Sequence, residues 1–481
     1  MPLPLKPRTK VPLDYLVLSA AFLVSRVVLY WLGLRFNLIL TWMFLADSAE
    51  LESDFLGTLY YFHAFPPGMN VLTGVLLKFP PRWLAASALS VFALSGLVLA
   101  NSLLYLARQV GVGRRTALGL AVVFSLLPQT LFFENLYLYT YPAAALLCLA
   151  TALFHRALRR PKFGAWFAFF LVCAVLGWLR SAFHLLWLLL MVGVAYLAVR
   201  RAYRARVLVS ALAPLGLLLA LYMKNLAVFG VFGATSWGGA NLIAVTTARM
   251  SEPERRQWVA AGKLSPFALI SVFAPPSAYT RLLGSAKSSE WPQLSELTRP
   301  SSGAGNFNHW YYLVINPVRR ADARAYLRER PGDYLHTVLT ESLVQVFEPS
   351  TKWHPYDAEP TSPHFAHRQA LGPYEATYNR VVHGFPVAPV GLYALLPAVL
   401  AYNAWFALRR VARRVTRPDA RSLLLLFCCF QIVYVVAVSS LFTLGECSRY
   451  RYLVEPLIWL VFSVLVVHAG RALRARWMAH R

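Results

Sequence analysis

Long apolar stretches alternate with short basic ones along this chain. Apolar runs lie near 13–34, 83–107, 116–133, 137–155, 163–179, 183–199, 207–229, 387–408, 422–443 and 452–470. A hydrocarbon core about 30 Å thick takes roughly 20 helical residues to cross, so these runs predict about ten spanning helices. The first is too long for the apolar core of a cleaved leader and lacks a small-residue cleavage site, so it is expected to stay as a span. Two shorter apolar segments, 38–46 and 68–79, fall within 35–82. They are expected to lie along or re-enter the membrane rather than cross it. The stretch 230–386 is rich in Pro, Ser, Gly and Trp. Its clearest helix is expected over 331–347, where Leu335, Val338, Leu339, Leu343 and Phe347 recur at helical spacing behind Pro331.

Composition supports lipid as the solvent for much of the chain. Hydrophobic residues make up 58% of the 481 positions and charged residues 14%, against about 25% charged in soluble domains. The formal charge is +26. A charge of that size can signal nucleic acid, but here the bases sit in clusters between the apolar runs. With the N-terminus inside, those clusters are Lys6/Arg8/Lys10, Arg108/Arg114/Arg115, Arg156/Arg159/Arg160/Lys162, Arg200/Arg201/Arg204/Arg206, Arg409 to Arg421 and Arg471 to Arg481. Only Asp14 and Asp419 accompany them, whereas 230–386 holds 15 bases and 12 acids. This is the positive-inside pattern, and it excludes a nucleic-acid partner. The expected architecture is an all-α polytopic membrane protein. Its parts are an N-terminal transmembrane module (1–229) with an acidic first exterior loop (35–82), an exterior loop domain (230–386) and a C-terminal transmembrane module (387–481).

Candidate chemistry gathers on the exterior side. The first loop carries Asp47, Glu50, Glu52 and Asp54, followed by His63 and Pro66-Pro67. A partly desolvated carboxylate at a membrane surface can serve as a general base. Asp47 with Glu50 three residues on also reads as a capping box, which needs no catalysis. A second cluster, Glu446 to Arg451 with Glu455, places two arginines at the exterior interface, where guanidinium forks suit phosphate. Glu134 and Tyr139, Arg180 and His184, and Lys224 lie at other exterior turns. Arg26 is the main charge expected deep in a span. His354, His364 and His367 share the long loop and could gather a metal, although solvated loop histidines are the commoner case. The five cysteines write no disulfide framework.

On these features the chain resembles the GT-C superfamily of polytopic glycosyltransferases, especially bacterial members related to protein O-mannosyltransferases and aminoarabinose transferases. The shared marks are an acidic first exterior loop, the Pro66-Pro67 step into a juxtamembrane helix, and the late Glu446 to Arg451 segment before Glu455-Pro456. The chain departs from the commonest pattern in having neither an Asp-Glu pair nor Asp-x-Asp. The resemblance implies a GT-C-like bundle that transfers a sugar from a polyprenyl-phosphate donor to an acceptor at the outer face. Asp47 or Asp54 would be the base, and Arg449, Arg451, Lys224 and Arg180 would contact the donor phosphate. His63, Glu134, Tyr139, His184 and Glu446 would be further substrate contacts. It implies no nucleotide or redox cofactor, leaves a divalent metal open, and names neither sugar nor acceptor. Arg-rich usage fits a bacterial inner membrane with cytoplasmic termini and a periplasmic site. A lipid or solute transporter and a non-catalytic assembly protein share the same topology.

Overall fold

A computed structural model describes residues 12–284, 291–352, 363–384, 391–413 and 419–479. Among these the chain is helical, with two isolated bridges and no strand. Seven helices are long and apolar enough to cross a membrane. Four of them are α1 (Leu13–Trp31), α5 (Pro81–Gln109), α8 (Thr140–Arg159) and α11 (Arg204–Phe229). The other three are Leu392–Ala412, Ala420–Phe442 and Glu455–Met478. The expected span 116–133 is a broken pair, α6 (Arg114–Leu126) and α7 (Pro128–Glu134), bent by 58°. Pro128 explains the break, because a proline ring bars the α conformation for the residue before it. Leu127 is accordingly extended. The expected spans 163–179 and 183–199 are α9 (Phe163–Leu179) and α10 (Leu185–Ala198). With 17 and 14 residues, they rise about 26 and 21 Å, short of the roughly 30 Å hydrocarbon core.

Burial orders the bundle. In α8, 72% of the apolar window is buried, against 17% in α1, so α8 is central and α1 peripheral. Lipid tails are as apolar as leucine, so close packing and polar pairing hold such helices together. Small residues supply the approach on α8, where Ala143, Ala144, Ala145, Ala150 and Ala157 are buried. Gly96 of α5 does the same, since a Cβ there would lie 2.5 Å from both the Phe22 ring and the Tyr141 hydroxyl. Arg26 is not left unpaired in its span. Its guanidinium forks onto the Glu134 carboxylate and stacks on Phe22 at 3.7 Å, and the Tyr141 hydroxyl donates to Glu134 at 2.7 Å.

The two ends of the bundle differ. One end holds the basic turns: Arg114 and Arg108 both pair with Asp14, Arg159 with Gln109, and Arg471 with the Gly111 carbonyl. The other end, here called the loop end, holds residues 33–80 and the described residues of 230–384. The first loop forms α2 (Ser48–Ser53), α3 (Phe55–Tyr60) and α4 (Gly68–Leu76). It shares one aromatic core with the long loop, in which Leu51, Phe62 and Ala64 meet Trp237, Tyr279, Tyr311, Tyr312 and Ile315. Asn308 ties the two by accepting from the His63 and Ala64 amides and donating to the Tyr61 carbonyl. Residues 35–82 therefore pack on both sides: Trp42, Phe44, Leu45, Met69 and Leu76 belong to the bundle core, and Leu51, Phe62 and Ala64 to the core shared with the long loop.

The long loop is more helical than its pattern predicts. Its longest fully described helix, Tyr311–Glu329, carries Pro317 inside it and packs on the helix Gly238–Ala244. The contact needs Gly239, because a Cβ there would lie 2.0 Å from the Asn316 carbonyl oxygen. The helix expected over 331–347 forms, but in three pieces. Pro331–Thr337 leads into a π turn at Val338–Ser342 and then the short helix Leu343–Gln345.

Candidate functional site

At the loop end the turn Arg180 to His184 joins α9 to α10, and α4 packs on the end of α9. A Cβ at Gly68 would lie 2.7 Å from the Trp178 carbonyl oxygen, which shows how closely α4 sits there. The turn Asn135 to Tyr139 lies at the same end. It is fixed by a parallel bridge in which Asn37 donates to the Asn135 carbonyl (2.7 Å) and Tyr137 donates to the Asn37 carbonyl (3.0 Å).

Two arginines meet on Tyr139. The Arg449 Nη1 donates to the Tyr139 hydroxyl at 2.8 Å, and its Nη2 donates to Glu446 at 2.6 Å. Arg180 lies over the Tyr139 ring at 4.5 Å and the Tyr450 ring at 4.1 Å, with a longer ion pair of 3.7 Å to the same Glu446 carboxylate. Arg449 is 4% and Arg180 12% exposed, so two nearly buried cations meet at the Glu446 carboxylate. The Arg180 Nε is buried without a hydrogen-bond partner. Two guanidinium groups set this close form a cradle whose chemistry suits an anion.

Phe44 joins the cradle to a carboxylate cluster. Its ring meets Tyr139 edge-on at 4.8 Å and stacks on Trp42 at 5.9 Å. The Trp42 carbonyl accepts from the Arg299 Nη2 at 3.0 Å. Arg299 is 3% exposed, its Nη1 has no hydrogen-bond partner, and it is set against Asp47 and Glu50. Burial, only partly offset by these carboxylates, lowers its pKa to about 10. Glu50 is half-buried, and its carboxyl is pushed up to about 7, first by desolvation and next by the Asp47 charge, with Arg299 opposing.

Asp47 is buried and held on both oxygens. Its Oδ1 accepts from the Ala49 amide (2.8 Å) and, more weakly, from the Glu50 amide (3.4 Å), capping α2 as a capping box predicts. Its Oδ2 accepts from the Ser301 amide and hydroxyl at 3.0 and 2.7 Å. Asp54 is exposed and caps α3 through the Gly57 amide at 3.0 Å. Asn70 fixes the strand leading into Asp47, accepting from the Ala46 amide and donating to the Phe44 carbonyl.

Other candidates serve as struts. Arg451 is 1% exposed and has four of its five N–H groups in hydrogen bonds. It bonds Glu455 at 3.0 Å, the Val346 and Glu348 carbonyls at 2.5 and 2.8 Å, and Ser350 at 2.7 Å. Glu455 is completed by Gln129 at 3.2 Å and by the Tyr393 hydroxyl. A phosphate has no free edge of Arg451 to take, so the two arginines of the late segment have separate roles. Lys224 pins the first loop through the Tyr60 and Phe62 carbonyls at 3.2 and 2.6 Å. Glu134 is neutralised by Arg26, and His184 caps α10 through the Trp187 amide. His63 is fully buried with Nδ1 on Ser236 at 2.8 Å, and burial lowers its imidazole to about 3. His354 lies outside the described residues, as do the side chains of His364 and His367.

Arg299, Ser301 and Asn70 carry no sequence signal that singles them out. They act through contacts spanning 24 to 257 residues of chain. Glu50 was visible only as a capping partner. Comparison with family models, curated proteins and solved structures gives no match to this chain.

Proposed function

We propose that the chain is a membrane glycosyltransferase of the GT-C type, which moves a sugar from a polyprenyl-phosphate donor to an acceptor at the loop end. In this reading all ten apolar helical segments, including the bent pair and the two short helices, lie within the bilayer. The loop end faces the periplasm of a bacterial inner membrane.

The observation that carries the reading is the approach of two nearly buried arginines, Arg180 and Arg449, to Tyr139 and Glu446 at the loop end. Guanidinium groups set this close suit a lipid phosphate, which they hold through charge-assisted hydrogen bonds. The acceptor oxygen attacks the anomeric carbon, and the bond from that carbon to the phosphate oxygen breaks. The phosphate leaves as an anion, and its charge is held by Arg180 and Arg449. The acceptor proton passes to the Asp47–Glu50 pair. Glu50 reaches solvent and titrates near neutrality, so it receives the proton. Asp47, locked by α2 and Ser301, holds the pair in place.

The test is transfer from radiolabelled polyprenyl-phosphate sugars to endogenous acceptors. Membranes would carry wild type, Glu50→Gln, Asp47→Asn, Asp54→Asn and Arg180→Ala/Arg449→Ala at matched expression. Wild-type transfer, abolished in the double-arginine variant and lowered at least tenfold in Glu50→Gln, is expected, while Asp54→Asn keeps wild-type rates. Loss of a general base ordinarily removes about 10²–10⁴-fold of rate. No turnover of any donor, or equal rates in all variants, overturns the reading and leaves transport as the better account.

A further inference from the structure

The broken helix from Pro331 to Gln345 has three kinds of side. One side faces the bundle. The Tyr334 hydroxyl donates to the Leu441 carbonyl at 2.9 Å, Val338 is buried, and Ser342 donates to the Thr443 carbonyl at 3.3 Å. The flank at Thr337 and Glu341 turns towards the long loop. Thr337 is buried there, and Glu341 pairs with Arg249 at 2.5 Å. Asp333, His336 and Thr340 are exposed and polar. The flank opposite the long loop is apolar and bare, with Leu335 54% and Leu339 52% exposed.

Four residues separate Leu335 from Leu339, so they stand one above the other on the helix. That flank continues the exposed end of a membrane-crossing helix. Ala420–Phe442 is among the seven helices apolar enough to span, and its last residues, Leu441 and Phe442, are 38% and 47% exposed. Tyr334 touches Leu441 directly. Exposed apolar residues therefore stand on both helices where they meet, Leu441 and Phe442 on one and Leu335 and Leu339 on the other.

We infer that the Leu335/Leu339 flank sits in the bilayer interface, so that this helix is an interfacial helix whose occupant is membrane lipid. Such helices bury an apolar face about 5–10 Å into the headgroup and acyl boundary and keep a polar face in water. Asp333, His336 and Thr340 supply the polar face. The π turn fits this placement, since an inserted residue lets the helix keep Val338 and Ser342 on the bundle while Leu335 and Leu339 point to lipid. The helix also touches the segment that carries the arginine cradle. The Gln345 carboxamide oxygen accepts from the Gly445 amide at 2.7 Å, next to Glu446, and Arg451 grips the Val346 and Glu348 carbonyls just beyond. Lipid contact at Leu335 and Leu339 thus steadies the segment that carries the arginine cradle. The inference does not depend on which reaction the cradle supports.

Single cysteines at Leu335, Leu339, His336 and Phe442, each carrying an environment-sensitive fluorophore, read this directly in the full-length protein reconstituted in vesicles. The five native cysteines are buried, so unsubstituted protein gives the labelling background. The quenchers are phospholipids brominated at a shallow or a deep acyl position, and aqueous iodide. Loss of fluorescence to shallow-brominated lipid at 335, 339 and 442, with position 336 quenched by iodide instead, is the expected result. Iodide quenching at 335 and 339 equal to that at 336, or protection there from both quenchers, overturns the inference. The first outcome would place the flank in water and the second would cover it with protein. Matched Tm values for the labelled variants show that each is folded, and position 442 shows that the lipid quencher works.

Discussion

At the scale of single residues, Glu50 sets the pH behaviour. Its carboxyl rises from 4.5 to about 7 through desolvation, with Asp47, Glu296 and Asp54 adding to the rise and Arg299 opposing it. Between those values the folded protein holds a proton that the unfolded chain has released. Stability therefore falls as pH rises through that window. Glu50→Gln is expected to raise Tm more at pH 8 than at pH 4, measured by thermal denaturation in detergent. The transfer rate of wild type should climb as pH passes about 7, and Glu50→Gln should lose that climb. A capping box at Asp47 and Glu50 was legible because it is local, spanning three residues. The Ser301 contact, which joins residues 254 positions apart, was not.

At the scale of elements, one lock joins three parts of the chain. The Arg451–Glu455 pair is wholly buried and ties the last span to residues 346–350 and to Tyr393. Arg451→Met leaves the Glu455 charge buried and alone, a change that typically costs about 3–5 kcal/mol. A large drop in Tm is expected for Arg451→Met. Arg180→Ala should lower Tm far less, because its partner Glu446 is 33% exposed, and the Arg451→Met/Glu455→Leu double change should restore much of what Arg451→Met loses. Sequence spacing found the segment but gave both arginines one role. Arg449 and Arg451 lie on nearly opposite sides of one short helix, and only packing decides which of them joins Arg180 on Tyr139. Helix positions were legible wherever period and length were strong, as in α5 and α11. The break before Pro128, the short α9 and α10 and the π turn at Val338–Ser342 depend on neighbours that pattern alone does not name.

At the scale of the whole molecule, charge separates the ends. The basic turns gather at one end, while the mixed-charge loops fold over the other. The proposed orientation has the basic end in the cytoplasm, as the positive-inside rule expects. On that proposal, green fluorescent protein fused after Arg481 should fluoresce, and alkaline phosphatase inserted after Gly262 should be active. The reverse pattern would put the arginine cradle on the cytoplasmic side. The division into bundle and loop was readable from hydropathy. The packing of the first loop on the long one was not, because it rests on contacts such as the stack of Phe65 on Trp237.

The Arg26–Glu134 pair also has a history during synthesis. Its partners stand 108 residues apart. The helix α1 leaves the ribosome with an arginine in its second half long before the answering carboxylate exists. An arginine at the centre of an inserting helix costs about 2.5–3.5 kcal/mol and one nearer an end costs less, and Phe22 is its main early company. The first helix should therefore linger at the insertion machinery until the segment bearing Glu134 arrives. A nascent chain stopped before that residue would keep α1 beside the translocase, and a slightly longer one would release it.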